Sequence, residues 1–281
     1  MHFLVGLIGS GIGASGSPAL HENEGRELGL EVYYQLIDLD RPDLAGKPLP
    51  EILRAAETMG FAGVNVTHPC KQAVIPFLDE LSDDARAIGA VNTVVFSSGR
   101  RIGHNTDWYG FAESFRRGLP GAPLDSVMLL GAGGAGSAVA HAALQMGVRR
   151  LAIVDEVRER AAALAEKLRA QFGDRRISAA DTGDVVHADG LIHATPMGMA
   201  SHPGVALAPG LLRPDLWVAD IVYFPLETEL LQRARERGCR TLNGGGMAVF
   251  QAARAFHLFT GVEPDAERML TQFSRITRAS A

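Results

Sequence analysis

The run Gly131-Ala132-Gly133-Gly134-Ala135-Gly136 fits the pattern G-x-G-x-x-G, and its chemistry would be to hold a dinucleotide. Glycine at 131 allows a tight turn from strand to helix. Glycine at 133 lets the backbone approach a pyrophosphate with no side chain between, and glycine at 136 lets the helix pack closely on the strands. The helix that follows offers free N–H groups and the positive end of its dipole to the phosphates. Asp155, at the end of the next apolar run, is placed to accept hydrogen bonds from the adenosine ribose hydroxyls. Glu156 stands beside it, and two carboxylates would repel the 2′-phosphate of NADP, so the expected cofactor is NAD. Arg158 and Arg160 follow at the start of a helix, where solvation alone would account for them. The alternative for the whole stretch is a β-α-β turn that binds nothing.

A second place of interest is Lys71, in the first turn of a helix that Pro69 starts. A cation there opposes the helix dipole, and a broken local rule marks either a function or a side chain that points into water. A third is the small-residue loop Gly9-Ser10-Gly11-Ile12-Gly13-Ala14-Ser15-Gly16, which leads to Ser17 as N-cap and Pro18 as first helical residue.

The elements that must position these groups alternate along the chain. Apolar runs predict strands over 4–8, 32–37, 62–67, 127–130, 151–154, 191–194 and 217–222, and a Ser-Ser-Gly turn predicts a hairpin over 91–103. Helices are expected after 17, over 51–59, from 69 with Lys71 in the first turn, over 82–88 and 109–117, along the apolar stripe 138–146, from 157 to 172, over 227–237, and as a last long helix over 247–259. This alternation implies an α/β fold of parallel sheets with covered faces, in two domains whose cleft would let a cofactor and a small substrate meet.

Composition narrows the class. At 281 residues and 47% apolar content the chain has enough for two modest globular domains. A net charge of −5 gives no basic footprint for nucleic acid. No apolar run approaches a membrane span, and the N-terminus reads as a strand. The two cysteines, Cys70 and Cys239, and the nine scattered histidines have no metal-ligand spacing, so a reduced, metal-free cytoplasmic protein is expected.

Several motifs in order resemble the shikimate/quinate dehydrogenase family. Ser15-Gly16-Ser17-Pro18 is similar to its S-x-S-P loop, Asn65 to Lys71 to N-V-T-x-P-x-K, Gly89 to Thr93 to G-A-V-N-T, and Asn105-Thr106-Asp107 to N-T-D. The glycine loop, Ala194-Thr195-Pro196-Met197-Gly198-Met199, and Gly246-Met247 with Gln251 also fall in family order. The resemblance runs from Gly6 to about Gly261. It implies an N-terminal α/β substrate-binding domain (residues 1–108 with 248–281), a Rossmann dinucleotide-binding domain (109–247), and an active site in the cleft between them. It also implies reversible hydride transfer between a nicotinamide and the ring hydroxyl of shikimate or a near relative, a small hydroxy-cyclohexene carboxylate. No metal, nucleic acid or membrane takes part, and a homodimer is allowed.

By motif matching, Lys71 and Asp107 form the catalytic dyad, with Lys71 moving the hydroxyl proton. Ser15 and Ser17 take the substrate carboxylate. Thr67, Asn92 and Gln251 bond the ring hydroxyls, with Tyr223 near the substrate. The cofactor set is Gly131 to Gly136 with Ala132, Gly133, Gly134 and Ala135, then Asp155, Arg158, His193, Thr195, Pro196, Met197, Val222, Gly246 and Met247. Some features depart from the family. NADP-committed relatives carry a basic residue near position 155. Quinate users often have threonine where this chain has Ser17. Most relatives have asparagine at 193, where this histidine would touch the cofactor, couple the domains, or sit satisfied in the core. An aromatic residue is usual at Cys70, and the segment after the last long helix reads as short. These departures resemble a branch that handles aminoshikimate. The readings held open are a dehydrogenase for shikimate, aminoshikimate or quinate, a non-catalytic NAD-binding sensor, and a general Rossmann reductase.

Overall fold

A computed structural model describes residues 1–279, and the side chains of 1–277. It divides into two compact units: Met1–Thr106 with the segment from Val249 onward, and Asp107–Ala248.

The first unit holds strands β1 (His2–Gly9), β2 (Glu31–Asp38), β3 (Phe61–Val66), β4 (Glu80–Leu81), β5 (Thr93–Ser97) and β6 (Arg100–His104). Its helices are α1 (Ser17–Glu27), α2 (Leu49–Thr58), α3 (Cys70–Ala73) and α4 (Asp83–Ile88). The six strands form one sheet in the order β2-β1-β3-β5-β6-β4. The expectation of purely parallel sheets is corrected here. β1 pairs in parallel with β2 and β3, but β5 runs antiparallel to β3 and forms an antiparallel hairpin with β6. The tight turn at Ser98-Gly99 allows no crossover helix, so the strand must return beside its neighbour.

The second unit holds α5 (Asp107–Gly118), β7 (Ser126–Leu130), α6 (Gly134–Gln145), β8 (Arg150–Val154), α7 (Arg158–Gln171), β9 (Arg176–Ala179), β10 (Gly190–His193), β11 (Trp217–Asp220), α8 (Glu229–Glu236) and β12 (Arg240–Leu242). Its sheet has the order β12-β11-β10-β7-β8-β9, and every pairing is parallel. The chain winds one way from β7 to β9 and the other from β10 to β12, so the switch point lies beside β7, where ligands of such sheets bind. The core is aliphatic: Val127, Leu129, Val139, Leu151, Ile153 and Ile192 are all buried around Trp217.

The boundary between the units falls inside α9 (Gly245–Thr260). Phe256 and Phe259 of α9 pack with Val5, Leu7, Val32 and Tyr34 of the first sheet. The segment beyond forms α10 (Ala266–Ala279), a 14-residue helix with Met269 and Phe273 buried. Glu24 of α1 is fully buried and accepts hydrogen bonds from the Asp265 N–H at 2.7 Å and from Arg268 Nη2 and Nε at 2.6 and 2.8 Å. Removing one partner of a buried ion pair strands the other charge. Arg268→Ala should therefore cost the first unit about 3 kcal/mol, the low end for such a loss because the guanidinium keeps some access to water. Urea unfolding followed by tryptophan-independent circular dichroism checks this, and a shift below about 0.5 kcal/mol, the size of an ordinary surface change, would show the pair to be dispensable. Among the described residues, no helix is long and apolar enough to cross a membrane, and no cluster of three or more His, Cys, Asp or Glu is placed to hold a metal ion.

Candidate active site

In the first unit, candidate groups gather at one end of the sheet. β1 and β3 end there, and β5, running the other way, begins there. A Cβ on Gly9 would lie 2.3 Å from Thr67 Cγ2 and 2.9 Å from the His68 carbonyl, so glycine is what lets the loop after β1 lie against the segment after β3. The Ser10 N–H also donates to the His68 carbonyl at 2.9 Å. The Asp38 carboxylate, at the end of β2, accepts from the backbone N–H groups of Gly11, Ile12 and Asp40, each at 3.1 Å, and so holds that loop in shape. Ser17 is corrected from N-cap to first helical residue: Gly16 occupies the cap. The Ser15 hydroxyl lies 3.1 Å from that of Ser17 and accepts from the Ser17 N–H at 3.3 Å.

Lys71 lies in α3, half-buried, and its carbonyl accepts from the Val91 N–H at 2.8 Å. That bond ties the lysine's backbone to the residue before Asn92. Because α3 has only four residues, its dipole is small, and the broken-rule argument for Lys71 loses its force. Asn92 is buried. It accepts from the Thr106 N–H at 2.8 Å and donates from Nδ2 to Thr106 Oγ1 at 2.9 Å and to Gln251 Oε1 at 3.4 Å. Behind it, Asn65 donates to Thr93 Oγ1 at 3.0 Å and accepts from the Tyr34 hydroxyl at 2.9 Å. Asn65, Thr93, Thr106 and Tyr34 were not picked out as site residues. Their role is to fix Asn92 and Gln251, and contacts across 159 residues of sequence leave no local signal.

In the second unit, the glycine turn follows β7. Gly131 has φ of +103°, a conformation that side chains resist, and a Cβ there would lie 2.6 Å from the Ala194 carbonyl. A Cβ on Gly136 would lie 2.0 Å from the Gly131 carbonyl oxygen. Gly133, in contrast, is exposed with nothing within 4 Å of its missing Cβ, and as N-cap of α6 it offers no side-chain acceptor to the helix's first N–H groups. The arrangement is a cradle open toward backbone donors, which fits a phosphate-bearing ligand. Ala132, Gly134 and Ala135 complete that turn. Asp155 follows β8, and its carboxylate accepts from the Ala132 N–H at 2.7 Å and the Val157 N–H at 3.0 Å. The acid thus fixes the turn. Arg158 pairs with Asp181 at 2.9 Å on the surface, while Arg160 comes within 3.9 Å of Asp155.

His193, expected as a cofactor contact, is 1% exposed, and protein atoms engage both its ring nitrogens: Asp220 Oδ1 at 2.9 Å from Nδ1 and Thr195 Oγ1 at 2.5 Å from Nε2. It stands behind Thr195 rather than at a ligand surface. Pro196 and Met197 are exposed beyond it, and the Met197 N–H donates to Thr195 Oγ1 at 3.2 Å. Val222 is buried, with its N–H on Asp220 Oδ1 at 3.0 Å. Gly246 packs on α5, where a Cβ would lie 2.3 Å from Ser114 Oγ, and Met247 joins the second unit's core. Asp107, the buried first residue of α5, neighbours Tyr223. Enclosure of the phenol by surrounding atoms, and then the Asp107 charge, push the Tyr223 pKa above the usual tyrosine value, although 46% of the residue's surface still meets water.

Two family profiles match the chain. The profile of the shikimate dehydrogenase substrate-binding domain matches residues 7–94, and that of the shikimate 5′-dehydrogenase C-terminal domain matches 244–272. The chain is 57% identical to a shikimate dehydrogenase (NADP(+)) of Streptomyces avermitilis over 99% of this chain and 97% of that one. It is 48% identical to a quinate/shikimate dehydrogenase (NAD(+)) of Corynebacterium efficiens over 96% and 97%. The solved quinate dehydrogenase of Corynebacterium glutamicum in complex with NAD superposes with a TM-score of 0.92 at 48% identity, covering 98% of this chain and 99% of that one. The Thermus thermophilus shikimate 5-dehydrogenase in complex with NADP(H) and shikimate gives 0.86 at 35% identity, covering 98% and 99%. With an N-terminal substrate-binding unit, a Rossmann unit and these relatives, the chain belongs to the shikimate/quinate dehydrogenase family of oxidoreductases.

Proposed function

We propose that this protein catalyses the reversible, NAD-dependent oxidation of shikimate, or a close analogue such as quinate or aminoshikimate, to its 3-dehydro product. The observation that carries this reading is the open glycine cradle after β7 with Asp155 fixed beside it. The nicotinamide supplies the hydride acceptor. The rest falls to the chain's own residues. Lys71 takes the ring hydroxyl proton as the carbon–hydrogen bond breaks, and Asp107 assists it and holds a neighbouring hydroxyl. Ser15 and Ser17 bond the carboxylate. Asn92, pre-set by Thr106, and Gln251 bond ring hydroxyls together with Thr67, while the Tyr223 phenol stays protonated as a donor.

The preference for NAD rests on charge. The relatives named above divide between NADP and NAD, and what favours NAD here is the carboxylate at 155, held by two backbone N–H groups, with Glu156 next to it. A 2′-phosphate brought to about 4 Å from that carboxylate would meet repulsion of order 4 kcal/mol per charge pair near a protein surface. Asp155→Asn, which removes the charge and keeps one acceptor, should lower the NAD-to-NADP ratio of kcat/KM about tenfold or more, and an unchanged ratio would move the basis of selectivity elsewhere. Absorbance at 340 nm with shikimate, quinate and aminoshikimate, each with NAD and with NADP, tests the whole reading. Turnover of one of these acids with NAD supports it. Dinucleotide binding with no turnover of any of them would favour the sensor reading.

A further inference from the structure

The buried pair His193–Asp220 is engaged by protein atoms at both ring nitrogens and both carboxylate oxygens. Asp220 accepts from the Thr228 hydroxyl at 2.6 Å on Oδ2 and from the Val222 N–H at 3.0 Å on Oδ1, so it is an acceptor at every contact. Thr228 in turn caps α8, accepting from the Leu231 N–H at 3.3 Å, which leaves its own proton for Asp220. A carboxylate used in this way requires a donor at its remaining partner, which is His193 Nδ1 at 2.9 Å. In a neutral imidazole the other nitrogen, Nε2, is then an acceptor, and the group 2.5 Å from it is the Thr195 hydroxyl. The Thr195 proton is committed to the ring, while its oxygen accepts from the Met197 N–H at 3.2 Å. This chain of bonds ends beside the cradle, because a Cβ on Gly131 would lie 3.1 Å from Thr195 Cγ2 and 2.6 Å from the Ala194 carbonyl.

We propose that His193 is a positioning residue for the dinucleotide: clamped by Asp220 as the Nδ1–H tautomer, it takes the Thr195 proton and so pins the 194–197 segment against the glycine turn. The pinned hydroxyl can offer a ligand only a lone pair, so the part of the dinucleotide that meets Thr195 must be a donor, an amide or ribose hydroxyl and not a phosphate oxygen. Two short side-chain bonds thus carry order from the capped start of α8 to the edge of the cofactor site. The inference rests on the proposed dinucleotide binding and adds to it.

The test uses the full chain and NADH as the probe, read by fluorescence titration, with thermal unfolding run on every variant. His193→Leu and Thr195→Val should each weaken NADH binding about tenfold, the size of one good hydrogen bond. Because both break the same link, the double variant should be weakened about tenfold and not a hundredfold. Additive losses, or a His193→Leu protein that binds NADH within about twofold of wild type, would overturn the proposal. Should the leucine variant fail to fold, ¹⁵N NMR of the histidine-labelled wild type decides. A signal showing His193 protonated on Nδ1 alone supports the clamp, and one protonated on Nε2 alone or on both nitrogens overturns it. A wild type that binds neither NADH nor NADPH would instead remove the dinucleotide reading itself, so the two failures are distinct.

Discussion

Replacement of Lys71 by methionine is expected to lower kcat by about 10²–10⁴-fold, the range for losing a positioned general acid or base, while NADH affinity stays within about twofold. Methionine keeps the length of the apolar stem and removes only the amine. The backbone that carries it stays anchored, because the Val91 N–H bonds the Lys71 carbonyl and not the side chain. NADH affinity should hold because the cradle belongs to the other unit, where Gly131, Gly133 and Asp155 reside. The measurement is steady-state kcat alongside an independent NADH titration. If kcat falls less than about tenfold, Lys71 is not the proton carrier, and another group must take the hydroxyl proton.

Gly136→Ala should weaken dinucleotide binding by about a hundredfold and lower the thermal midpoint of the second unit. The added methyl carbon would sit 2.0 Å from the Gly131 carbonyl oxygen and 2.8 Å from its carbon. Both are backbone atoms that cannot rotate away, so the turn itself must move. Overpacking of this kind costs about 1–3 kcal/mol, and the upper figure corresponds to about a hundredfold if it is felt in binding. Gly133→Ala is the control. Its methyl meets nothing of the protein within 4 Å and its φ of −75° suits alanine, so the midpoint should stay put. If a pyrophosphate approaches there, affinity alone should fall, by about tenfold for one blocked backbone contact. Unchanged NADH affinity in both variants would mean that the dinucleotide lies elsewhere.

The second unit was the more legible from sequence. A buried parallel strand, glycines at fixed offsets and a helix form one local pattern, so β7, α6 and β8 are readable over fewer than thirty residues. The acid at 155 belongs to the same pattern. Short edge strands were missed: β9 and β12 have four and three residues, too few to show a period. α10 lies beyond the last element expected from sequence, although Met269, Phe273 and Ile276 recur there at helical spacing. The hairpin was seen, yet its effect on the sheet was not, since strand direction is set by which neighbour a strand finds. Among site residues, Asn92 and Gln251 carried motif signals, but the network that fixes them is long-range. His193 could be named as unusual but not placed. Its pairing with Asp220 follows from the parallel register of β10 on β11, in which those two residues face each other.

The discontinuity of the first unit has a consequence for how the protein comes into being. Residues that complete its core, Phe256 and Phe259, and the helix that buries Glu24 emerge from the ribosome only after the whole of the second unit has been made. The Rossmann unit, continuous in sequence and built of neighbouring β-α-β turns, can close while translation proceeds. The substrate-binding sheet must wait with Val5, Leu7 and Val32 uncovered on one face. During synthesis the nascent chain is therefore a finished nucleotide fold trailing an unfinished sheet, and it is the unfinished half that chaperones or aggregation will meet.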